Sequence, residues 1–284
     1  MIIITGQTAT GKTKLALELA IKHNGELINF DSRQIYKYLD IITGKDSSII
    51  YDQGSKIWLY DVVNPNQYFS SFDFVMKITS VIEDIKKRGK IPILVGGTYL
   101  YLKNFLYGIG DNGSPPNFKL REKLNNKSVV KLQKKLISLN RQVFENLNHS
   151  DQLNPRRLIR KIEIETGIKT LGPTAKKITK IPLKFKIIGL KYKDKSKLRE
   201  AITKRVEDRL KNGAIEEVKK LLKMGYKEND PGLKTIGYQQ IIKYLSKEFT
   251  KEKAVEDWIN KEVQYAKRQL TFMKKDKNIE WREV

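Results

Sequence analysis

The residues best equipped for chemistry lie near the start of the chain. Gly6-Gln7-Thr8-Ala9-Thr10-Gly11-Lys12-Thr13 is a complete G-x-x-x-x-G-K-T loop, a spacing that lets backbone N–H groups and the positive end of a following helix surround a phosphate. Lys12 would add a point charge on the phosphates, and Thr13 a hydroxyl ligand for Mg²⁺. The loop specifies a phosphate but not which one. Asp31-Ser32-Arg33-Gln34 follows. Asp31 suits a general base, a metal ligand or a plain helix N-cap, and its residue type leaves all three open. In Gly96-Gly97-Thr98 two glycines permit close ligand approach beside a hydroxyl, although a tight turn into a helix needs the same residues.

A second set suits a polyanion. Asn154-Pro155, an N-cap and N1 pair, precedes Arg156-Arg157-Leu158-Ile159-Arg160-Lys161. Arg157, Arg160 and Lys161 fall at i, i+3 and i+4, forming one cationic ridge fit for a phosphate backbone or for plain solvation. Gln264-Tyr265-Ala266-Lys267-Arg268-Gln269-Leu270-Thr271-Phe272 mixes basic, amide and aromatic groups, the repertoire for backbone contact with base stacking. A terminal helix that packs Tyr265 and Phe272 inward would read the same.

Charge separates these sets. The 284 residues include 56 Lys+Arg and 32 Asp+Glu, a formal charge of +24. Residues 1–115 hold 13 basic and 11 acidic side chains; residues 116–284 hold 43 and 21, a surplus of +22. Such a surplus favours a nucleic-acid partner, because Lys and Arg near phosphates release condensed counterions. A general lysine bias (44 Lys against 12 Arg) would act throughout, yet residues 1–115 show no comparable excess. Cysteine is absent, and His23 and His149 are far apart. Disulfides, thiolate nucleophiles and zinc-thiolate sites are thereby excluded, and a structural zinc site or a Ser–His–Asp hydrolase is disfavoured. No apolar run reaches about 18 residues, so a soluble, cytoplasmic protein is expected, and nothing demands more than a monomer.

The elements that must position these groups follow from hydrophobic patterning. Met1–Thr5, Leu27–Phe30, Ile57–Val63 and Ile91–Val95 read as strands; Lys14–His23, Phe74–Lys87 and Tyr99–Tyr107 read as helices. Strands alternating with helices imply a parallel sheet covered on both faces. Gly108–Asn117, dense in Gly, Asn, Ser and Pro, marks a domain boundary. From Phe118 to about Pro182 only helical patterns occur, with Leu120, Leu124, Val129, Leu132, Leu136 and Leu139, then Leu158 and Ile162, with a helix end at Glu165–Gly167. Leu183–Leu190 returns to strand character, and the remainder reads as helices: Lys197–Asn212, Ala214–Met224, Lys234–Ser246 and Lys253–Lys274. The expected architecture is an α/β core of residues 1–115 and 183–284 with an all-helical basic insertion, 116–182.

Together these segments resemble the tRNA dimethylallyltransferase (tRNA isopentenyltransferase) family, nearly end to end. The resemblance rests on the phosphate loop; Asp31-Ser32-Arg33-Gln34-Ile35-Tyr36 with Asp40-Ile41; Ile91-Pro92-Ile93-Leu94-Val95-Gly96-Gly97-Thr98; Asn154-Pro155-Arg156-Arg157; Ile236-Gly237-Tyr238-Gln239-Gln240; and Ala266-Lys267-Arg268-Gln269-Leu270-Thr271. It implies a P-loop NTPase-like fold and transfer of a dimethylallyl group from dimethylallyl diphosphate to N6 of the adenine 3′ of the anticodon, in tRNAs reading U-initial codons. The loop would hold the prenyl diphosphate with Mg²⁺ on Thr13. By resemblance, Asp31 is the general base, Thr98 the hydroxyl near the bridging oxygen and Arg205 a diphosphate clamp. Asp31, Ser32, Arg33, Gln34, Thr98, Arg121, Arg156, Arg157, Leu158, Ile159, Arg160, Lys234, Thr235, Ile236, Gly237, Tyr238, Gln239, Lys267 and Arg268 are the implied contacts to the tRNA anticodon stem-loop. The chain departs from the family's pattern at Gln7 (usually Pro), Thr10 (usually Ser), and Ala201 and Val263, where many members carry Arg. The near-neutral first half would then supply most of the crevice and the basic remainder the grip on RNA, with Arg205 crossing that division. Two rivals stand beside this reading. A small-molecule kinase would use the same loop with ATP, and a non-catalytic RNA-binding protein would leave the loop idle.

Overall fold

The computed structural model describes residues 1–45, 57–108, 116–171 and 184–284. Their strands are β1 (Ile2–Gly6), β2 (Gly25–Asn29), β3 (Ile57–Trp58), β4 (Ile91–Val95), β5 (Lys186–Lys191) and β6 (Ile279–Glu283). The helices begin with α1 (Lys12–Lys22), α2 (Ser71–Lys87) and α3 (Tyr99–Tyr107). Then come α4 (Phe118–Asn125), α5 (Val129–Leu139), α6 (Arg141–Glu145), α7 (His149–Gln152) and α8 (Pro155–Leu171). Last are α9 (Lys195–Lys211), α10 (Ala214–Lys223), α11 (Tyr238–Leu245) and α12 (Lys251–Met273). The chain divides into two compact units, Met1–Leu102 with Pro182–Val284, and Lys103–Ile181.

In the first unit the strands form one parallel sheet in the order β3-β2-β4-β1-β5-β6. Its central strands are continuous apolar runs because a parallel sheet is covered on both faces: Ile3, Ile4, Ile28, Ile93 and Leu94 are fully buried. Ile4, Leu27, Ile93 and Val95 pack against Ala16, Leu17 and Ala20 of α1. The register matters for function. Ile4 and Asn29 both lie beside Val95, so the carboxyl ends of β1, β2 and β4 finish at one level. The loops Gly6–Thr13, Asp31–Gln34 and Gly96–Thr98 therefore leave the same edge. A second apolar cluster joins Ile35, Leu39 and Ile42 to Ile202, Val206, Tyr238 and Trp258, fixing the segment after Asp31 against α9, α11 and α12.

Several elements differ from the sequence expectation. The strand expected over Ile57–Val63 stops at Trp58, because Leu59 and Asp61 take φ of 67° and 56° and turn the chain out of the sheet. Val62 and Val63 then bond the Ile35 carbonyl at 2.8 and 3.2 Å. The helix expected from Lys234 begins at Tyr238, after a turn that ends at Gly237 with φ 96°. The helix end expected at Glu165–Gly167 is absent, since α8 runs through it to Leu171. The last residues add a strand, β6, where helix alone was expected. Its two inward side chains, Ile279 and Trp281, cover Gly189 of β5, while Glu280 and Glu283 pair with Lys186 and Lys191 at 2.9 and 3.0 Å. Such an edge strand carries a polar, weakly patterned sequence that periodicity does not separate from a helix tail. Leu183 and residues 109–115 of the Gly108–Asn117 stretch lie outside the described residues.

The second unit is helical in its described part. Leu124, Leu132, Leu136, Leu158, Ile159 and Ile162 form its core. Short helices survive there because each start is capped: Asn117, Ser128, Asn140 and Asn148 accept backbone N–H groups of α4, α5, α6 and α7. Among the described residues, no helix of either unit is long and apolar enough to cross a membrane.

Candidate active site

The phosphate loop turns directly off β1. Gly6 takes φ 133°, and a Cβ there would stand 2.1 Å from the Leu190 carbonyl oxygen, so only glycine lets the loop pass β5. Thr10 Oγ1 donates to Gln7 O at 2.8 Å, and Lys12 Nζ donates to the same carbonyl at 2.5 Å. Tyr192 braces the loop from β5: its N–H donates to Gln7 Oε1 at 2.9 Å and its hydroxyl to Ala9 O at 2.5 Å. Gln7 thus ties the loop to the chain just past β5 through its side-chain oxygen. The loop opens onto a crevice of about 1230 Å³, lined by Thr8–Lys14, Asp31, Arg33, Gln34, Gly96, Gly97, Lys204, Arg205, Arg209, Tyr265, Arg268 and other first-unit residues.

Asp31 is held in a turn of its own making. Its N–H donates to Asn29 Oδ1 at 2.8 Å, and its Oδ1 accepts the Arg33 N–H at 2.9 Å. The residues after it form a turn and not a helix, so the N-cap reading falls away. One carboxylate oxygen is engaged locally, and the side chain faces the crevice. Thr98 is not part of the crevice lining. Its Oγ1 accepts the Ser32 N–H at 2.9 Å and donates to Ser32 Oγ at 3.1 Å, tying the β4 loop to the Asp31 loop. Arg33 donates to Pro231 O at 3.3 Å, and Gln34 to the carbonyls of Thr43 and Gly44 at 3.2 and 2.8 Å.

The far wall comes from α9 and α12. Arg205 Nη1 donates to Thr8 Oγ1 at 2.7 Å, which places a guanidinium on the phosphate loop. One turn on, Arg209 is buried and paired with Glu262 at 2.6 Å, and Glu262 also accepts Trp258 Nε1 at 3.0 Å. Burial and the neighbouring Arg205 push Arg209 down to about 10, still protonated at neutral pH. Burial would raise the Glu262 carboxyl, but Arg209 and Arg205 outweigh it and hold the group below its usual range. Ala201 lines the crevice one turn before Arg205, whereas Val263 is buried in the core. From α12, Tyr265 and Arg268 also line the crevice, Gln269 is buried against it, and Phe272 packs edge-on to Tyr99 at 5.1 Å. The terminal helix therefore packs Phe272 on Tyr99 while it turns Tyr265 and Arg268 toward the crevice.

Sequence reasoning missed Glu262, Arg209 and Tyr192, and read Gln269 only as part of the amide-bearing segment Gln264–Phe272. The stripe Ala201, Arg205, Arg209, Asn212 at helical spacing was the available signal for Arg209. The acid on another helix that neutralises it has no local signature.

The remaining expected contacts are of mixed character. Lys267 and Arg268 are exposed, as is Lys234. Thr235 is buried, and Tyr238 is fully buried with its hydroxyl on Glu217 Oε1 at 2.5 Å, so the Tyr238 side chain belongs to the core and not to a surface. Gln239 holds the carbonyls of Glu228 and Leu233 at 2.9 and 3.0 Å. In the second unit, Leu158 and Ile159 are core residues, 0% and 5% exposed, leaving polyanion contact to the arginines around them. Those arginines are partly engaged: Arg157 pairs with Asp151, while Arg121 and Arg160 share the buried Glu163 at 2.8 and 2.6 Å. Arg156 is exposed. No group of three or more His, Asp or Glu side chains that could hold a metal occurs among the described residues.

Comparison with known proteins gives a consistent result. The family model described as IPP transferase matches residues 34–276. The match begins after the phosphate loop and Asp31, which the relatives below do cover. A protein of Clostridioides difficile (strain 630) named tRNA dimethylallyltransferase is 37% identical over 290 residues, spanning 99% of this chain and 90% of that protein. One of the same name from Thermoanaerobacter sp. (strain X514) is 35% identical, again over 99% and 90%. Among solved structures, the tRNA isopentenylpyrophosphate transferase of Bacillus halodurans superimposes with a TM-score of 0.71 at 32% identity, covering 99% of this chain and 89% of that one. A eukaryotic dimethylallyltransferase, described as acting on tRNA, gives 0.77 at 25% identity, covering 100% and 73%.

Proposed function

The chain belongs to the IPP transferase family, and we propose that it transfers a dimethylallyl group from dimethylallyl diphosphate to tRNA, at the exocyclic N6 of the adenine 3′ of the anticodon in tRNAs reading U-initial codons. One observation carries the reading: a phosphate loop with an arginine on it and a carboxylate line one crevice, at the carboxyl ends of β1 and β2, the parallel strands on either side of β4. N6 is a weak nucleophile because its lone pair is delocalised into the ring, so a carboxylate that accepts its proton as the N–C bond forms is useful. Asp31 takes that proton. As the allylic C–O bond breaks, its electron pair leaves with the diphosphate, whose growing charge meets Lys12, Arg205 and the loop amides.

Mg²⁺ fits the donor set in a limited way. Thr13 lies at the start of α1 on the crevice wall and offers a hard oxygen, with no acidic cage among the described residues, the type of site in which substrate phosphates and water complete the coordination. The ion would neutralise charge on the leaving diphosphate.

For RNA we assign Arg33, Gln34, Lys234, Lys267 and Arg268 in the first unit and Arg121, Arg156, Arg157 and Arg160 in the second, with Ser32, Thr98 and the Thr235–Gln239 and Leu158–Ile159 backbones as supports. The groups of the crevice come from a single chain, so the proposed active species is a monomer, acting in the cytoplasm where its tRNA substrate is. The test is incubation with Mg²⁺, labelled dimethylallyl diphosphate and bulk tRNA. Label in RNA is the expected result; ATP consumed on a small metabolite, with none in RNA, would return the kinase reading. Asp31→Asn should bind tRNA and lose at least about 100-fold in turnover, and near-normal turnover would remove Asp31 as the base.

A further inference from the structure

Gln269, on the inner face of α12, is 6% exposed and bonded to two different loops of the crevice. Its Oε1 accepts the Thr8 N–H at 3.0 Å, and its Nε2 donates to Gly97 O at 3.0 Å. The two backbone partners fix the amide's orientation, since only oxygen can accept from Thr8 and only nitrogen can donate to Gly97. Gly97 is glycine for this contact: a Cβ there would stand 2.3 Å from Nε2 and 3.6 Å from Asp31 Oδ2. Those two distances also put the amide nitrogen within about 6 Å of the carboxylate. One turn earlier on the same face, Tyr265 also lines the crevice, and Thr98, next to Gly97, holds Ser32, the neighbour of Asp31.

We propose that Gln269 is a positioning residue that sets the distance between the leaving diphosphate and the proton-accepting carboxylate by spanning the phosphate loop and the Gly97 loop. The inference rests on the reading of Asp31 and the phosphate loop given above. A transfer that breaks a C–O bond on the phosphate loop while removing a proton at Asp31, whose loop Thr98 ties to the Gly97 loop, needs these loops in fixed register, and a misplacement of about 1 Å can cost about 100-fold in rate. The side chain touches neither reacting group. It acts through backbone atoms, so its loss should lower turnover more than donor binding.

Glutamate at this position separates the two bonds. Gln269→Glu keeps the length and the acceptor for Thr8 but turns an oxygen toward the Gly97 carbonyl. The expected result is a fall in kcat of about 10- to 100-fold with KM for dimethylallyl diphosphate within about threefold and equilibrium tRNA binding unchanged. Gln269→Leu removes both bonds, and both kcat and donor KM should worsen. Values of kcat for Gln269→Glu within about twofold of the parent would overturn the proposal, as would parallel losses in kcat and donor binding. If Gln269→Glu does not fold, Gln269→Met decides: it keeps the length without either bond, kcat should fall at least about tenfold, and an unchanged kcat would overturn the proposal equally. Asp31→Asn in the same assays separates the two readings. Full activity there defeats the base assignment, whereas an inactive Asp31→Asn beside a fully active Gln269→Glu defeats only the role given to Gln269.

Discussion

Glu262 in the first unit and Glu163 in the second are both buried carboxylates that hold arginines, yet they leave those arginines in different states. Glu262 binds Arg209, itself buried, and leaves Arg205 one turn away with its hydrogen bond to Thr8 and no carboxylate in ion-pair distance among the described residues. Glu163 accepts the Asn117 N–H and both Arg121 and Arg160, whose side chains remain 33% and 25% exposed. In the crevice one acid neutralises the buried cation so that its neighbour can face a ligand. In the helical unit one acid gathers two cations that water also reaches. A surplus of positive charge therefore says less than its disposition. The basic half of the sequence itself divides: Lys103–Ile181 holds 17 basic and 6 acidic residues, Pro182–Val284 holds 27 and 16, so each carries +11. Half of the excess thus belongs to the unit that builds the crevice.

The largest effect should come from breaking the drier pair. Glu262→Ala leaves Arg209 charged without a partner in an apolar setting, which costs about 3–5 kcal/mol, measurable by denaturant unfolding. Replacing the pair together by Leu at 262 and Met at 209 should recover most of that loss. If the single and double variants were equally unstable, the pair would be a packing contact and not an electrostatic one. Next in size is Arg205→Ala. Removing one cation aimed at developing charge lowers turnover by about 100- to 1000-fold, with tRNA affinity little changed; a tRNA-binding defect at normal turnover would move Arg205 to the RNA surface and erase the contrast with Arg121.

The contrast also explains what could be read in advance. The phosphate loop, Asp31 and Gly96–Thr98 were legible because each is contiguous and sits where a strand must end. Arg205 was reached by resemblance, since a lone arginine in a lysine-rich helix has no local mark. Glu262 and Glu163 went unread, and Gln269 was read only as part of a segment, because Arg209, Arg121 and Gly97, the partners that give them their roles, lie 53, 42 and 172 residues away. Buried polar groups are satisfied through tertiary contacts that no periodicity records. The cationic ridge on α8 was legible by spacing, but its ion pairs were not: Asp151 and Glu163 engage Arg157 and Arg160.

Glu163→Gln should cost less than Glu262→Ala, about 1–3 kcal/mol for the lost charged hydrogen bonds, because the arginines it releases are already partly hydrated. Its measurable signature is a lower unfolding midpoint with donor binding intact. A smaller effect still is expected at Arg156, exposed and outside any of these ion pairs. Arg156→Ala should lower tRNA affinity a few-fold and reduce the slope of log affinity against log salt by about 1, with kcat unchanged. An unaltered slope would return this arginine to plain solvation.

Acid titration gives the finest test of the two carboxylates. Burial would raise both, but Glu163 is held below its usual range by Arg121, Arg160 and the Asn117 N–H, and Glu262 by Arg209 and Arg205. A carboxyl lowered in the folded state contributes stability that is full above its unfolded value, 4.5 here, and is lost as pH falls through the folded one. Stability should thus be flat from neutrality to about pH 5 and decline below it. Each such group contributes at most one proton, or about 1.4 kcal/mol per pH unit. Glu163→Gln should make the decline shallower by up to that amount while leaving the Glu262 contribution in place. Equal slopes in the parent and Glu163→Gln would mean that the arginines of the helical unit are held by packing along their stems, and that only the crevice pair works through charge.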